Sequence, residues 1–175
     1  MIVTPIQPTH DLFLLENIVS EDLAKRITEY DWMSADLKRQ EAQEDWDRWM
    51  VDEHPLITEF EAEVNAKLHL LNQTADREYQ FAEGTRFWID QPNFVVGLHL
   101  DGQLPNAMQC YWVGNEKQGT HFYNSKNKND LRYGFKLIPN TGYFMINDDP
   151  DNNALWHGML NPADSIRITS YTYLR

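Results

Sequence analysis

Gly97-Leu98-His99-Leu100-Asp101-Gly102 sets an imidazole and a carboxylate two residues apart between apolar neighbours. In a strand, side chains alternate between faces, so His99 and Asp101 project together while Leu98 and Leu100 project the other way. That is half of a metal site. Alone the triplet is a weak signal, because six His and fifteen Asp in 175 residues produce roughly 0.5 such triplets by chance. Its weight comes from the rest of the chain. Trp156-His157-Gly158-Met159 brings a second imidazole fifty-eight residues on, and Arg167-Ile168-Thr169 begins ten residues after that. Two imidazoles and one carboxylate on one face of an octahedron suit iron and leave three positions open for chemistry. A closed structural zinc site would want thiolates, and Cys110 is the only cysteine.

The segments around these residues read as strands. From Phe81 onward the apolar period is two, and residues 85–90, 95–100, 107–113, 120–124, 133–138, 143–147, 155–159 and 166–174 are short runs of aromatic and branched side chains. Gly, Pro, Asn or Asp parts them, which predicts a sandwich or barrel. Upstream the period changes to that of a helix. Ser20 is a natural N-cap before Glu21 and Asp22, and Leu23, Ile27 and Tyr30 follow at helical spacing, which predicts a helix over 21–30. Pro55 suits a first turn, and Ile57, Phe60, Val64, Leu68 and Leu71 recur at three- and four-residue steps. A second helix over about 55–72 should pack this stripe on a sheet.

Residues 1–10, with Pro5 and Pro8, suit an extended arm or edge strand. Trp32, Trp46 and Trp49 stand in a polar stretch, where they seal a loop or short helix onto the body or line a lid. No repeat, linker or low-complexity segment divides the chain. The expectation is one α+β domain over residues 1–175, with a helical front at 11–80 and a β-rich part at 81–175.

Composition narrows the function. The net charge is -12, which disfavours general binding to nucleic acid or to anionic membranes. The charge is uneven: residues 1–80 hold eighteen acidic and seven basic side chains against nine and eight in residues 81–175, so the half with the candidate site is nearly neutral. A single cysteine makes no internal disulfide, residues 1–15 lack a signal-peptide pattern, and no apolar run is long enough to span a membrane. A cytoplasmic setting is expected.

The other histidines carry less. His10, His54 and His69 lie in the arm, at a helix start and on the second helix, where structural or solvated roles are expected; His121 is out of phase with Thr120 and Phe122. Lys126, Lys128, Arg132 and Lys136 read as a solvated basic loop. Residues 148–153 are acidic and turn-rich without calcium-loop spacing.

A helix-rich front followed by strands bearing His99-x-Asp101, His157 and Arg167-x-Thr169 resembles the iron(II)- and 2-oxoglutarate-dependent dioxygenases, in particular the prolyl 4-hydroxylase-like branch. The similarity extends to Glu16-Asn17-Ile18-Val19-Ser20-Glu21 before the first helix, to Gly119-Thr120-His121-Phe122, and to Asn140-Thr141-Gly142-Tyr143-Phe144. It implies a double-stranded β-helix, a jelly-roll or cupin-like barrel with the N-terminal helices packed on one sheet. It also implies His99, Asp101 and His157 as iron ligands and Arg167 as the anchor for the distal carboxylate of 2-oxoglutarate. A guanidinium is always charged and forks onto a carboxylate. Thr169 shares the strand face of Arg167 and would add a hydroxyl there. Relatives often place a Tyr on a neighbouring strand for the same ligand. Ala107, Gln109, Tyr111 and Val113 share one face by alternation, and Tyr111 is taken ahead of Gln109. Here the pattern departs from the family, because Trp112-Val113-Gly114-Asn115 is one residue longer than the usual aromatic-aliphatic-Asn ending.

The implied reaction consumes 2-oxoglutarate and O2 and hydroxylates a small molecule or a peptide, prolyl residues being an analogy only. Asp101 occupies the place that halogenating relatives leave for chloride, so halogenation is disfavoured. The alternative is a non-catalytic jelly-roll or cupin module that binds a metal or ligand. Such a module has no use for a cation ten residues beyond a ligand histidine, which makes Arg167 the discriminating residue.

Overall fold

The computed structural model describes residues 1–6, 11–39, 48–101, 106–147, 155–159 and 164–175. The front of the chain gives strands β1 (Ile2–Pro5) and β2 (Leu12–Glu16), helix α1 (Glu21–Glu29), a 3-10 turn at Trp32–Ser34, and strands β3 (Lys38–Arg39) and β4 (Arg48–Val51). Helix α2 (Pro55–Ala75) follows. Then come β5 (Arg86–Asp90), β6 (Val96–His99), β7 (Asn106–Val113), β8 (His121–Tyr123), β9 (Leu131–Gly134), β10 (Thr141–Met145), β11 (Trp156–Met159) and β12 (Arg167–Leu174).

Eight strands form one sheet in the order β1-β2-β10-β7-β12-β5-β4-β3, and four form a second in the order β6-β11-β8-β9. Every pairing is antiparallel. The front 11–80 is therefore not only helical, since it supplies β2, β3 and β4 to the larger sheet, while β1 of the arm forms its edge. β2 escapes detection by alternation because it lies between β1 and β10 and is buried on both faces, so Leu12-Phe13-Leu14-Leu15 reads as a continuous apolar run.

The larger sheet has two working faces. On one, Phe13, Leu15, Phe87, Met108, Cys110 and Trp112 pack with Leu23 and Ile27 of α1 and with Phe60, Val64, Leu68 and Leu71 of α2. On the other, Leu12, Ala107, Tyr111 and Tyr143 pack with Phe122 of the smaller sheet. Helices cover one face and the smaller sheet the other. Ser20 caps α1, its hydroxyl accepting from Leu23 N at 3.3 Å, and His54 Nδ1 accepts from Leu56 N at 3.2 Å before Pro55 opens α2. α2 continues past residue 72 until Asp76 takes the left-handed conformation at φ 54°. Neither helix shows a stretch that qualifies as a membrane span.

Trp32 is core, stacked on Phe87 at 4.6 Å and donating from Nε1 to the Ile27 carbonyl at 2.8 Å, while Trp49 belongs to β4. Trp46, His10 and the acidic stretch 148–153 lie outside the described residues. The cluster expected as a solvated basic loop is not one throughout: Arg132 lies in β9 with its side chain 13% exposed and pairs with Asp11, while Lys136 pairs with Glu116.

The extra residue in the 112–115 segment has a structural counterpart. Across β12 and β7, Ile168 faces Val113 but Thr169 faces Tyr111, so Trp112 is inserted as a bulge. Strict alternation fails there: Trp112 and Val113 both pack toward the helices, and Val113 does not share the face of Gln109 and Tyr111.

Cys110 is fully buried on the helix side of β7, and burial pushes its thiol up to about 12. It should resist an aromatic disulfide reagent in the native protein and react fully in denaturant. Rapid native reaction would contradict the packing of β7.

Candidate functional site

His99 closes β6, Asp101 lies just beyond it, and His157 stands on β11 directly opposite His99 in the antiparallel register. This cross-strand pairing removes the fifty-eight residues that separate the two imidazoles in sequence. The close approach depends on Gly158. A Cβ there would sit 2.7 Å from the Val96 carbonyl oxygen and 2.9 Å from that of Gly97, both backbone atoms. Gly158→Ala should push β11 from β6 and weaken divalent metal binding by about 10-fold or more, measured by calorimetry; unchanged affinity would show that the strand spacing is not needed.

The donor atoms of His99, Asp101 and His157 all lie within 4.8 Å of one another, close enough to share one cation. His99 Nε2 is 3.4 Å and His157 Nε2 is 3.6 Å from Asp101 Oδ1. Each imidazole is oriented from behind: Nδ1 of His99 meets the Gly97 carbonyl at 2.8 Å, and Nδ1 of His157 meets the Leu155 carbonyl at 2.8 Å. A carbonyl only accepts, so the neutral rings carry their protons on Nδ1 and turn the Nε2 lone pairs toward Asp101. Phe122 stacks on His157 at 5.3 Å and fixes its plane. The far carboxylate oxygen of Asp101 accepts from the Tyr171 hydroxyl at 2.8 Å, leaving Oδ1 on the side of the histidines.

The protonation tendencies of Asp101 and His157 suit metal binding, whereas His99 holds its proton more readily and must release it to a metal. Burial works to raise the Asp101 carboxyl, but the hydrogen bond from a protonated His99, the charge of a protonated His157 and the Tyr171 hydroxyl outweigh it, and the group is held below its ordinary value. Burial pushes His157 down toward the neutral, ligating form, with Asp101 opposing. The hydrogen bond to Asp101 raises His99 against its desolvation. Burial keeps Tyr171 protonated, and hence a donor, far above its ordinary value.

A cavity of about 490 Å3 opens on these three residues and is also lined by Arg167, Arg48, Gln109 and Tyr143. Arg167, at the start of β12, is 1% exposed. Its Nε donates to the Gln118 carbonyl at 3.0 Å and its Nη1 to Asp90 Oδ2 at 2.5 Å. The structure thus brings His99, Asp101, His157 and Arg167 to one cavity. Thr169 is buried on β12 with its hydroxyl unpartnered, and it does not line the cavity. The Tyr111 hydroxyl accepts from the backbone N of Thr120 at 3.0 Å and Tyr111 does not itself line the cavity, whereas Gln109 does and accepts from the Thr120 hydroxyl at 2.7 Å.

Two cavity-lining residues, Arg48 and Tyr171, and the buried Asp90 behind them were given no role in the sequence reading. Asp90 ends an apolar run and Arg48 follows a charged one, and neither position signals a partner on another strand. Tyr171 is in phase with Arg167, which was legible, but its contact with Asp101 arises only where the larger sheet meets the segment following β6 across the cavity. The remaining histidines stand apart: His54 caps α2, His69 bonds the Ala66 carbonyl, and His121 packs against Gly134.

No family model and no curated protein sequence matches the chain. Solved structures do. A prolyl-4-hydroxylase of Pseudomonas putida superposes with a TM-score of 0.68 at 12% identity, covering 95% of this chain and 93% of that one. The viral collagen prolyl hydroxylase of Paramecium bursaria Chlorella virus-1, in complex with 2-oxoglutarate, gives 0.65 at 12% identity and 94% of each chain. HygX from Streptomyces hygroscopicus, with nickel, 2-oxoglutarate and hygromycin B bound, gives 0.64 at 10% identity, covering 94% of this chain and 82% of its own. From near one end to the other, and despite the low identity, this chain has the prolyl 4-hydroxylase-like fold of the 2-oxoglutarate- and iron-dependent oxygenases.

Proposed function

We propose that this chain is a single-domain, mononuclear non-haem iron dioxygenase that couples oxidative decarboxylation of 2-oxoglutarate to hydroxylation of a small molecule or a peptide. The observation that carries the reading is the convergence of two Nε2 atoms and one carboxylate oxygen within 4.8 Å, on a cavity that also exposes a buried arginine. The donor set fits iron: two imidazoles and one carboxylate, each held by a hydrogen bond on its far side, would offer two nitrogens and an oxygen to the ion. In this reading the two sheets are the halves of a double-stranded β-helix.

His99, Asp101 and His157 hold the metal, and Arg167 takes the distal carboxylate of 2-oxoglutarate. Gln109 and Thr120 supply polar groups on the same wall, ahead of Tyr111; the unpartnered Thr169 hydroxyl lies two residues along from Arg167 and would reach the ligand only with a shift of β12. When bound, iron(II) with 2-oxoglutarate and O2 supplies the oxidising chemistry, releasing succinate and carbon dioxide. The chain's own contribution is position and exclusion of water. Tyr171 keeps one Asp101 oxygen occupied, so that the other faces the metal, and Phe122 holds the His157 plane. The cavity accommodates 2-oxoglutarate with room beside it for part of a substrate.

Purified protein given Fe(II), 2-oxoglutarate and O2 should release succinate above the level of a His157→Ala variant. Mass spectrometry of small-molecule and peptide pools should then find a product heavier by one oxygen atom. Metal binding with no succinate from any pool would favour the non-catalytic binding module.

A further inference from the structure

Arg48, Asp90 and Arg167 form one row across three adjacent strands. Asp90 on β5 faces Arg167 on β12 and Arg48 on β4, each as a direct register partner. Both oxygens of the carboxylate are taken: Oδ2 accepts from Arg167 Nη1 at 2.5 Å, and Oδ1 accepts from Arg48 Nε at 2.6 Å. Asp90 is 0% exposed and the Arg48 side chain 12%. The Arg48 guanidinium also lies 4.6 Å from the centre of the Trp88 ring and 4.9 Å from that of Phe94, aromatic faces that hold a cation in place. Both arginines line the cavity of the metal-site residues.

A buried carboxylate beside Arg167 poses an electrostatic problem for the proposed cosubstrate. Taken alone, Asp90 neutralises Arg167, and an incoming carboxylate would then share one guanidinium with a second anion at low dielectric, where like charges repel strongly. With Arg48 counted, the row carries two cations and one anion. Resting on the 2-oxoglutarate reading above, we propose that Arg48 is a positioning residue of the anion subsite: it offsets Asp90, so that Arg167 keeps a net positive charge for a dicarboxylate ligand. Asp90 in turn holds Arg167 in one orientation and prevents it from standing as an unpaired buried cation when no ligand is bound.

The test is a charge-compensation cycle read by anaerobic calorimetry of 2-oxoglutarate binding to the Fe(II)-loaded protein, with Fe(II) binding measured separately. Arg48→Met should weaken 2-oxoglutarate binding by about 10- to 100-fold and change Fe(II) affinity by less than about threefold. Combining it with Asp90→Asn restores the net charge of the row and should return 2-oxoglutarate affinity to within about threefold of wild type. A merely structural role predicts the opposite, because the double variant lacks more of the buried network than either single variant. Native protection of Cys110 reports whether each variant folds, and if Arg48→Met does not, the double variant decides by itself. Unchanged binding in Arg48→Met, or a folded double variant bound tenfold or more weaker than wild type, would overturn the proposal. Failure of the wild type to bind 2-oxoglutarate would instead overturn the functional reading beneath it.

Discussion

Asp101→Ala is expected to lower divalent metal affinity by more than about 100-fold while the protein stays folded. The carboxylate is the only anion among the three converging donors, and its Oδ1 is the atom nearest both imidazoles, at 3.4 and 3.6 Å. Removing it leaves two neutral nitrogens to hold a dication. The Tyr171 hydroxyl loses its acceptor as well, but it borders a cavity where water can replace the carboxylate. Metal titration followed by calorimetry, with circular dichroism as the check on folding, measures this. Near-native affinity in the variant would remove Asp101 from the metal site.

Arg167→Leu is the second large effect and separates the two halves of the site. Truncating one partner of a buried, charge-paired contact costs about 2–5 kcal/mol, so 2-oxoglutarate affinity should fall by about 30-fold or more. Fe(II) affinity should change by only a few-fold, because no metal-site donor is touched. The variant still holds Asp90 against Arg48, which limits the damage to folding. Equal loss of metal and 2-oxoglutarate binding would show that Arg167 supports the whole cavity rather than a carboxylate.

Those residues were legible in the sequence for physical reasons. A strand imposes a period of two, so His99-x-Asp101 announced a shared direction, and Arg167 was marked by its place ten residues beyond His157. Helix α2 was equally plain, with a proline in its first turn and a stripe at three- and four-residue steps. The misses have causes of the same kind. β2 is buried on both faces and shows no alternation, and β4 sits among charged residues that read as a loop. The bulge at Trp112 was visible only as one residue too many. Asp90 and Arg48 became partners through strand pairing across the larger sheet, a relation that no local pattern records. Alternation puts Tyr111 and Gln109 on one face and does not separate them; in the structure Gln109 lines the cavity and the Tyr111 hydroxyl meets a backbone amide.

The most direct test of the central claim is an anaerobic absorption titration. Addition of Fe(II) to the protein should give no visible band, subsequent addition of 2-oxoglutarate should produce one that saturates at a single equivalent, and His99→Ala should abolish it. Absence of any band in the wild type, at concentrations where both Fe(II) and 2-oxoglutarate are present in excess, would contradict the assignment of this cavity to an iron- and 2-oxoglutarate-dependent oxygenase.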